Sequence, residues 1–538
     1  MTSWRELRAP VLAAASGFAL LVAHPPLGWW PATFLTAPLL LGALTVDERA
    51  AADHGRGVRA LRLGMIAGVA AYAPMLSWLI LPAGVVGWSL LVLVQAAWLG
   101  VAAWAIRPVL QRPLLLPAVA AAAWAGMDAW RSVLPLNGFE WGAIAYAHVD
   151  GSWLLPLARI AGGRGITLIV VLASAAAFGA LERTWSALRE RGDAPVETVL
   201  GGARGPAAVL VGSLLVSVLA TIEPPPETGH LDVLVVQGNE VRHWEVADNP
   251  DPPLRIATAL RDLTVAEVAA GGRPDVTIWP ESSIDRDPSA QRGAPLRELA
   301  DEAAAAAGVL LSGATLDGPE PASNRRVAGL LLEDGFDETD RYVKRRLVPF
   351  GEYIPMRSWL DWFPPLEQIP RDALPGEVPQ AVELIDGVRA AVVICFETLF
   401  ADIVRSNLLA DGAPGQLIVT ITNDASFGIS AEPAQHLAQS RLRAVETGRW
   451  VVHGALTGSS AFVDPHGRTY GDTPLFELAT IRRDVPLVDG YTPYLRVGDV
   501  VGWLTRALLL ALVAFRVLMW VRRPSVATRR PDDLEAGR

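Results

Sequence analysis

Cys395 is the single cysteine among 538 residues, which excludes an intramolecular disulfide and a multi-thiolate metal cluster. An inert core thiol or a nucleophile are the two roles left to it. It closes the apolar, β-branched run 389–394, which reads as a buried strand. A reactive side chain at the end of such a strand stands where open α/β sheets place their chemistry. Only a few per cent of an ordinary thiol is ionised at neutral pH, so a nucleophilic cysteine needs a base and a positive neighbour.

Three other stretches end strands or leave them with reactive groups. Ile278-Trp279-Pro280-Glu281-Ser282-Ser283 sets a carboxylate just past an expected strand and a proline. Burial there would raise its pKa and suit it to general-base work, although a surface-loop glutamate reads equally well from this stretch alone. The run from Tyr342 to Pro355 carries Lys344 out of an alternating strand into a Pro/Gly-rich loop that ends at Glu352. A fixed ammonium can stabilise an oxyanion and favour a thiolate; alternatively, Lys344 joins Arg345 and Arg346 in a solvated basic cluster. Thr422-Asn423-Asp424-Ala425-Ser426-Phe427-Gly428 is polar and turn-forming, a composition met more often in structural turns. Glu397, two residues beyond Cys395, shares its face if the strand continues; it would brace the site or form a structural salt bridge. His436 and His453 also follow the cysteine, so a papain-like Cys–His pair is the mechanistic rival, with His436 inside an expected amphipathic helix.

Taken together, W-P-E-S, Y-x-K-x-x-L-V-P-F-G-E-Y-x-P, C-x-E and N-D-A-x-F-G in this chain order resemble the nitrilase (carbon–nitrogen hydrolase) superfamily. The long lysine motif, Pro25-Pro26-Leu27-Gly28 and the 138–146 loop are similar to its membrane-embedded lipoprotein-acylating branch, so the resemblance covers nearly the whole chain. It implies an αββα sandwich with Cys395 as nucleophile, Glu281 as general base and Lys344 as the oxyanion-stabilising cation. Glu352 and Glu397 would be additional active-site carboxylates, and Trp244, Asn423 and Trp141 would contact substrate. The implied reaction moves a fatty acyl chain from a membrane glycerophospholipid, through a Cys395 thioester, to the amino terminus of a diacylglyceryl-cysteine lipoprotein. A membrane-tethered nitrilase-type amidase is the alternative. No metal or organic cofactor is expected, since acyl transfer through a thioester needs only base, nucleophile and oxyanion stabilisation. The chain departs from the pattern at Ser426 and Phe396, where Trp and Tyr are common, and at Glu140, where Pro is common.

The elements that must hold these groups fall into two kinds. The composition is 51% hydrophobic and 19% charged, below the usual charged share of about 25%. The excess is concentrated ahead of residue 223, in apolar segments near 9–25, 29–46, 60–80, 84–106, 112–131, 163–182 and 205–222. A globular core could hardly absorb so many, and several reach the roughly 20 residues that cross a bilayer as a helix. Arginines 5, 8, 49, 56, 59, 62, 107, 112, 183, 189, 191 and 204 fall on one side if every segment crosses, while the turns 25–30 and 82–87 carry neither Lys nor Arg. The amino terminus is therefore expected in the cytoplasm and the polar region outside it. A further apolar segment returns the chain to a tail beginning Arg522-Arg523. The aromatic 136–146 loop suits the bilayer interface, as packing or as a lipid-access surface. A net charge of −10 without a basic, aromatic-interleaved patch argues against nucleic acid as a partner.

Expected boundaries are a membrane domain over 1–222 with about seven transmembrane helices, a stiff Pro-rich linker over 223–230, and an extracytoplasmic catalytic domain over 231–490. A transmembrane helix over 499–521 and a disordered cytoplasmic tail over 522–538 complete the chain in the cell membrane. Within 231–490, strands are expected at 231–237, 276–279, 309–312, 327–332, 389–394, 416–422 and 451–462. Helices are expected at 254–270, 296–307, 400–409 and 434–448. The alternation predicts a layered α/β domain.

Overall fold

In a computed structural model of the protein, residues 4–50, 56–191, 212, 223–239, 251–360 and 369–521 are described. The amino-terminal part is helical: α1 (Trp4–Ala23), α2 (Thr33–Ala50), α3 (Arg56–Met75), α4 (Ile80–Ile106), α5 (Leu116–Arg131) and α6 (Ala158–Arg191). Among the described residues, four stretches are long and apolar enough to cross a membrane: Glu6–Ala23, Ser77–Val109, Leu155–Arg189 and Val500–Met519. The protein is thus a multi-span membrane protein; α2, α3 and α5, which cover three further expected spans, are not among those four. Helix α2 ends in Asp47, Glu48 and Arg49, and α3 begins with Arg56, Arg59 and Arg62. Helix α5 has only 16 residues and buries an Asp128–Arg131 ion pair at 2.9 Å, with Gln95 accepting from Arg131 Nε at 2.6 Å. All three pack against helices among those four, α2 and α3 on α1 and α5 on α6. The expected span over 205–222 falls almost wholly outside the described residues, as does the tail 522–538.

The polar half is an αββα sandwich, as the resemblance implies. Its strands are β1 (Glu227–Gln237), β2 (Val276–Ile284), β3 (Val309–Asp317), β4 (Asn324–Glu333), β5 (Asp337–Val343), β6 (Asp372–Ala373) and β7 (Val382–Ile385), then β8 (Val388–Ile394), β9 (Leu417–Thr422), β10 (Val451–Ala455), β11 (Ala461–Val463), β12 (Thr469–Tyr470) and β13 (Ala479–Val488). One sheet runs β13-β1-β2-β3-β4-β5 with β6 on β4; the other runs β12-β11-β10-β9-β8-β7. The middle strands of each, β1-β2-β3 and β8-β9-β10, are parallel, so their carboxy-terminal ends gather on one edge.

Between the sheets, Val233, Val235, Ile278 and Leu311 meet Val392, Ile394, Val419 and Ile421 in one buried core. Alternate residues of β1 face the other way: Leu234 and Val236 pack under α7 (Pro252–Gly271) and α8 (Ala294–Ala307). The second sheet is covered by α9 (Ala401–Leu408) and α10 (Glu432–Thr447), through Val393, Ile418, Ile403, Leu442 and Val445. That same core continues into Tyr72, Met75, Ile144 and Ile166 of the membrane half. The chain leaves through α11 (Val500–Val521).

Three expectations need correction. Strand β1 begins at Glu227 and pairs antiparallel with β13, so the linker is shorter than 223–230. The expected strand 451–462 is two antiparallel strands, β10 and β11, separated by a turn. Strand β2 does not stop at Trp279 but runs to Ile284 through an irregular stretch.

Candidate active site

The irregular stretch in β2 presents Glu281. Trp279 pairs with Ser312 and Ile284 with Ala314, so residues 280–283 stand opposite Gly313 alone. Pro280 cannot donate to the ladder, and Ser282 adopts φ 64°, a left-handed value that reverses the chain locally. A Cβ at Gly313 would lie 2.4 Å from the Pro280 carbonyl oxygen and 2.5 Å from Glu281 Cα, so glycine is required for the close approach.

Lys344 follows β5 and is 1% exposed. Its Nζ donates to Glu281 Oε1 at 3.0 Å and to Glu352 Oε1 at 2.7 Å. Both carboxylates are fixed by backbone amides: Glu281 Oε2 accepts from Asn423 N at 3.1 Å, and Glu352 Oε2 from Val348 N at 2.7 Å. Burial opposes the Lys344 charge, but Glu281, Glu352 and Cys395 outweigh it and hold the ammonium well above its ordinary range. Burial raises the Glu281 pKa, and Lys344 only partly restrains it. The Cys395 thiol is pushed well up by burial and by the Glu281 charge, while Lys344 and the Thr422 hydroxyl pull the other way.

Cys395 begins a 3₁₀ turn, Cys395–Leu399, directly after β8, with φ 51°. A left-handed non-glycine residue costs about 1–2 kcal/mol and persists only where its surroundings hold it. The chain turns here, so Glu397 does not continue a strand face. It is fully buried, and its Oε1 accepts from Arg345 N at 2.7 Å, Arg346 N at 2.9 Å and the Tyr342 hydroxyl at 2.9 Å. Its Oε2 accepts from Ile394 N at 2.9 Å. Glu397 therefore ties the segment after Lys344 to the turn carrying Cys395, with no side-chain salt bridge among the described residues.

The other expected contacts distribute unevenly. Asn423 reaches the site through its backbone N–H. Trp141 is buried: it stacks on Phe139, which itself stacks on Phe396, and its Nε1 donates to Gln435 Oε1 at 2.6 Å. It thus backs the nucleophile's turn. Trp244 lies outside the described residues. The Cys–His rival fails on geometry, because His436 Nε2 lies 3.1 Å from the Cys395 carbonyl oxygen and Nδ1 faces Asp424 at 3.2 Å. His453 pairs with Ser440 at 2.9 Å, and burial lowers its pKa to about 3.

Reading the sequence missed Gln435, which joins the two halves. Its Oε1 also accepts from Trp78 Nε1 at 3.2 Å, and its Nε2 donates to the Pro25 carbonyl at 3.2 Å. Only its place beside His436 on an expected helix could have marked it.

A buried ammonium shared by two carboxylates, next to a half-buried thiol, can accept the thiol proton on Glu281 and offer Lys344 to a developing oxyanion. Residues 16–176 match the family model described as "Apolipoprotein N-acyltransferase N-terminal domain", and residues 251–492 match "Carbon-nitrogen hydrolase". The chain is 30% identical to the apolipoprotein N-acyltransferase of Geobacter metallireducens, over 95% of this chain and 98% of that one. It is also 30% identical to that of Azotobacter vinelandii, over 95% and 94%. Among solved structures, an amidase of the nitrilase superfamily from Nesterenkonia is 18% identical, with a TM-score of 0.36, covering 55% of this chain and 99% of that one. With this identity sustained over almost its full length, and with both family models matched in order, the chain belongs to the apolipoprotein N-acyltransferase family and is an acyltransferase of the membrane.

Proposed function

We propose that this enzyme transfers a fatty acyl chain from a glycerophospholipid to the amino-terminal amine of a diacylglyceryl-cysteine lipoprotein, in two half-reactions. In the first, the Cys395 thiol gives its proton to Glu281 and the sulfur attacks the ester carbonyl. Lys344 balances the oxyanion; collapse breaks the ester C–O bond, forms the thioester and returns the proton to the departing lysophospholipid. In the second, the lipoprotein amine attacks the thioester, Glu281 takes the amine's proton, and the thiol is regenerated as the amide forms. Glu352 keeps Lys344 aimed at the reacting carbon, Glu397 fixes the turn, and Asn423 and Trp141 contribute to the walls of the site. The catalytic half would work on the extracytoplasmic face of the cell membrane, with both termini in the cytoplasm, where two bilayer-anchored substrates can meet it.

The observation that carries this reading is the buried Glu281–Lys344–Glu352 cluster beside the only cysteine of a multi-span chain. The experiment is intact mass spectrometry of the purified protein with phospholipid alone, followed by a diacylated lipopeptide. A hydroxylamine-sensitive acyl adduct should form on Cys395, vanish as triacylated peptide appears, and be missing from Cys395→Ala. Turnover of small amides with no acyl adduct from any phospholipid would replace this reading with the tethered amidase.

A further inference from the structure

Behind the turn that carries Cys395 lies a polar cluster that the two half-reactions leave unused. Asp424, Glu432, His436 and His453 come from the loop after β9, from α10 and from β10, and each is at most 2% exposed. His436 Nδ1 is 3.2 Å from Asp424 Oδ1 and 3.7 Å from Glu432 Oε1, while Nε2 is 3.1 Å from the Cys395 carbonyl oxygen. A carbonyl can only accept, so Nε2 carries a hydrogen. Asp424 Oδ1 also accepts from the Thr422 hydroxyl at 2.8 Å. With Nε2 given to the Cys395 carbonyl, Nδ1 faces two carboxyl groups, Asp424 and Glu432, which hold the ring in place. Ligand-type atoms of Asp424, His436 and His453 lie within 4.8 Å of one another, but both His436 nitrogens and His453 Nδ1 are already hydrogen-bonded, which favours a relay of hydrogen bonds over a metal centre.

We propose that His436 is a positioning residue for acyl transfer: anchored by Asp424 and Glu432, it donates to the Cys395 carbonyl and locks the peptide that follows the nucleophile. The Cys395–Phe396 peptide is planar, so fixing its carbonyl also fixes the opposed Phe396 N–H and the ψ of Cys395, the residue whose φ is left-handed. Without that hydrogen bond, the strained turn loses one of the contacts that over-determine it. Thr422 provides a parallel connection, since its hydroxyl touches both Asp424 and the Cys395 thiol. The Trp141 ring packs 6.1 Å from the His436 ring and closes this pocket from the membrane half.

The inference rests on Cys395 being the acylated residue, and its test keeps the two ideas apart. Full-length wild type, His436→Ala, His436→Gln and Cys395→Ala are compared with a diacylglycerophospholipid in mixed micelles, following acyl-Cys395 formation, kcat, KM and melting temperature. His436→Ala should stay folded and lose about 100-fold in acylation rate and kcat, the scale of a misplaced reacting group, with KM nearly unchanged. His436→Gln, which retains one donor, should recover about tenfold of that loss. Wild-type acylation by folded His436→Ala, a loss confined to KM, or no difference between the Ala and Gln variants would overturn the proposal. So would loss of wild-type activity to a chelator with recovery on adding zinc. If Ala is not tolerated, Asp424→Asn must show the same kcat-only loss, and a wild-type rate in that variant overturns the idea. If wild type itself gives no acyl adduct, the acyltransferase chemistry fails instead. Iodoacetamide alkylation of Cys395 then decides the positioning role: slower in His436→Ala if the proposal holds, equal if it does not.

Discussion

Lys344 bonds two carboxylates at once, and the consequences differ for each partner. Glu281 must be ionised to act as a base, yet burial raises its pKa above the ordinary carboxyl value. Acylation should therefore fade as pH falls through that raised value, well before an exposed glutamate would protonate. Single-turnover rates against pH would check this, with an acid limb in the ordinary carboxyl range as the contrary result. Glu281→Gln should remove the limb and cost about 10²–10⁴ in rate. Glu397 works differently, because four donors converge on its two oxygens. In Glu397→Gln an amide N–H would confront a backbone N–H, leaving a buried donor unmatched at about 1–3 kcal/mol. A lower melting temperature together with reduced kcat is expected, whereas a fully active, equally stable variant would contradict the clamp.

At the scale of elements, the site is built from irregularities at strand ends. The stretch 280–283 of β2 lifts Glu281 out of its ladder, and only Gly313 leaves room for it. Gly313→Ala should displace Glu281 and lower acylation at least about tenfold, while Gly229, where a Cβ would meet only Leu487 at 3.8 Å, should tolerate the same change. Kinetics of both variants would separate a general glycine effect from the local one. The same irregularities explain what was legible in the sequence. Apolar β-branched runs announced the central strands, and the residue types at their ends announced Glu281, Lys344 and Cys395. Periodicity carries no signal for a bulge or for a left-handed turn, so β2 was expected to stop early and Glu397 was placed on the face of Cys395 only if the strand continued. The charged edge strand β13 lacks the apolar alternation that marks a strand, and it went unread. His436 was visible as a residue but not as a partner of the Cys395 carbonyl, since that contact spans 41 positions of sequence.

For the whole molecule, the decisive contacts join the membrane half to the sandwich. Arg164 of α6 pairs with Glu140 at 2.6 Å and with Asp499 ahead of α11, all three little exposed. Arg164→Ala would strand two carboxylates and should destabilise the protein by about 3–5 kcal/mol, read as a fall in melting temperature in detergent. An unchanged melting temperature would show the pairing to be incidental. Tyr146 adds a bond from its hydroxyl to the Leu399 carbonyl at 3.2 Å, and Gly163 N donates to Glu446 at 2.8 Å. Helix α10 receives most of this contact. Every one of its residues except Ala434 and Arg441 is buried, although a helix on the outer layer of a sandwich normally keeps a wet face. It is consequently interior to both halves at once, which makes the sandwich and the helices a single cooperative unit rather than an enzyme on a tether. Severed at residue 223 and produced alone, the sandwich would bare Gln435, Arg443 and Glu446 beside apolar side chains that expect neighbours. Such a fragment should aggregate, and heating the intact protein should melt both halves in one transition.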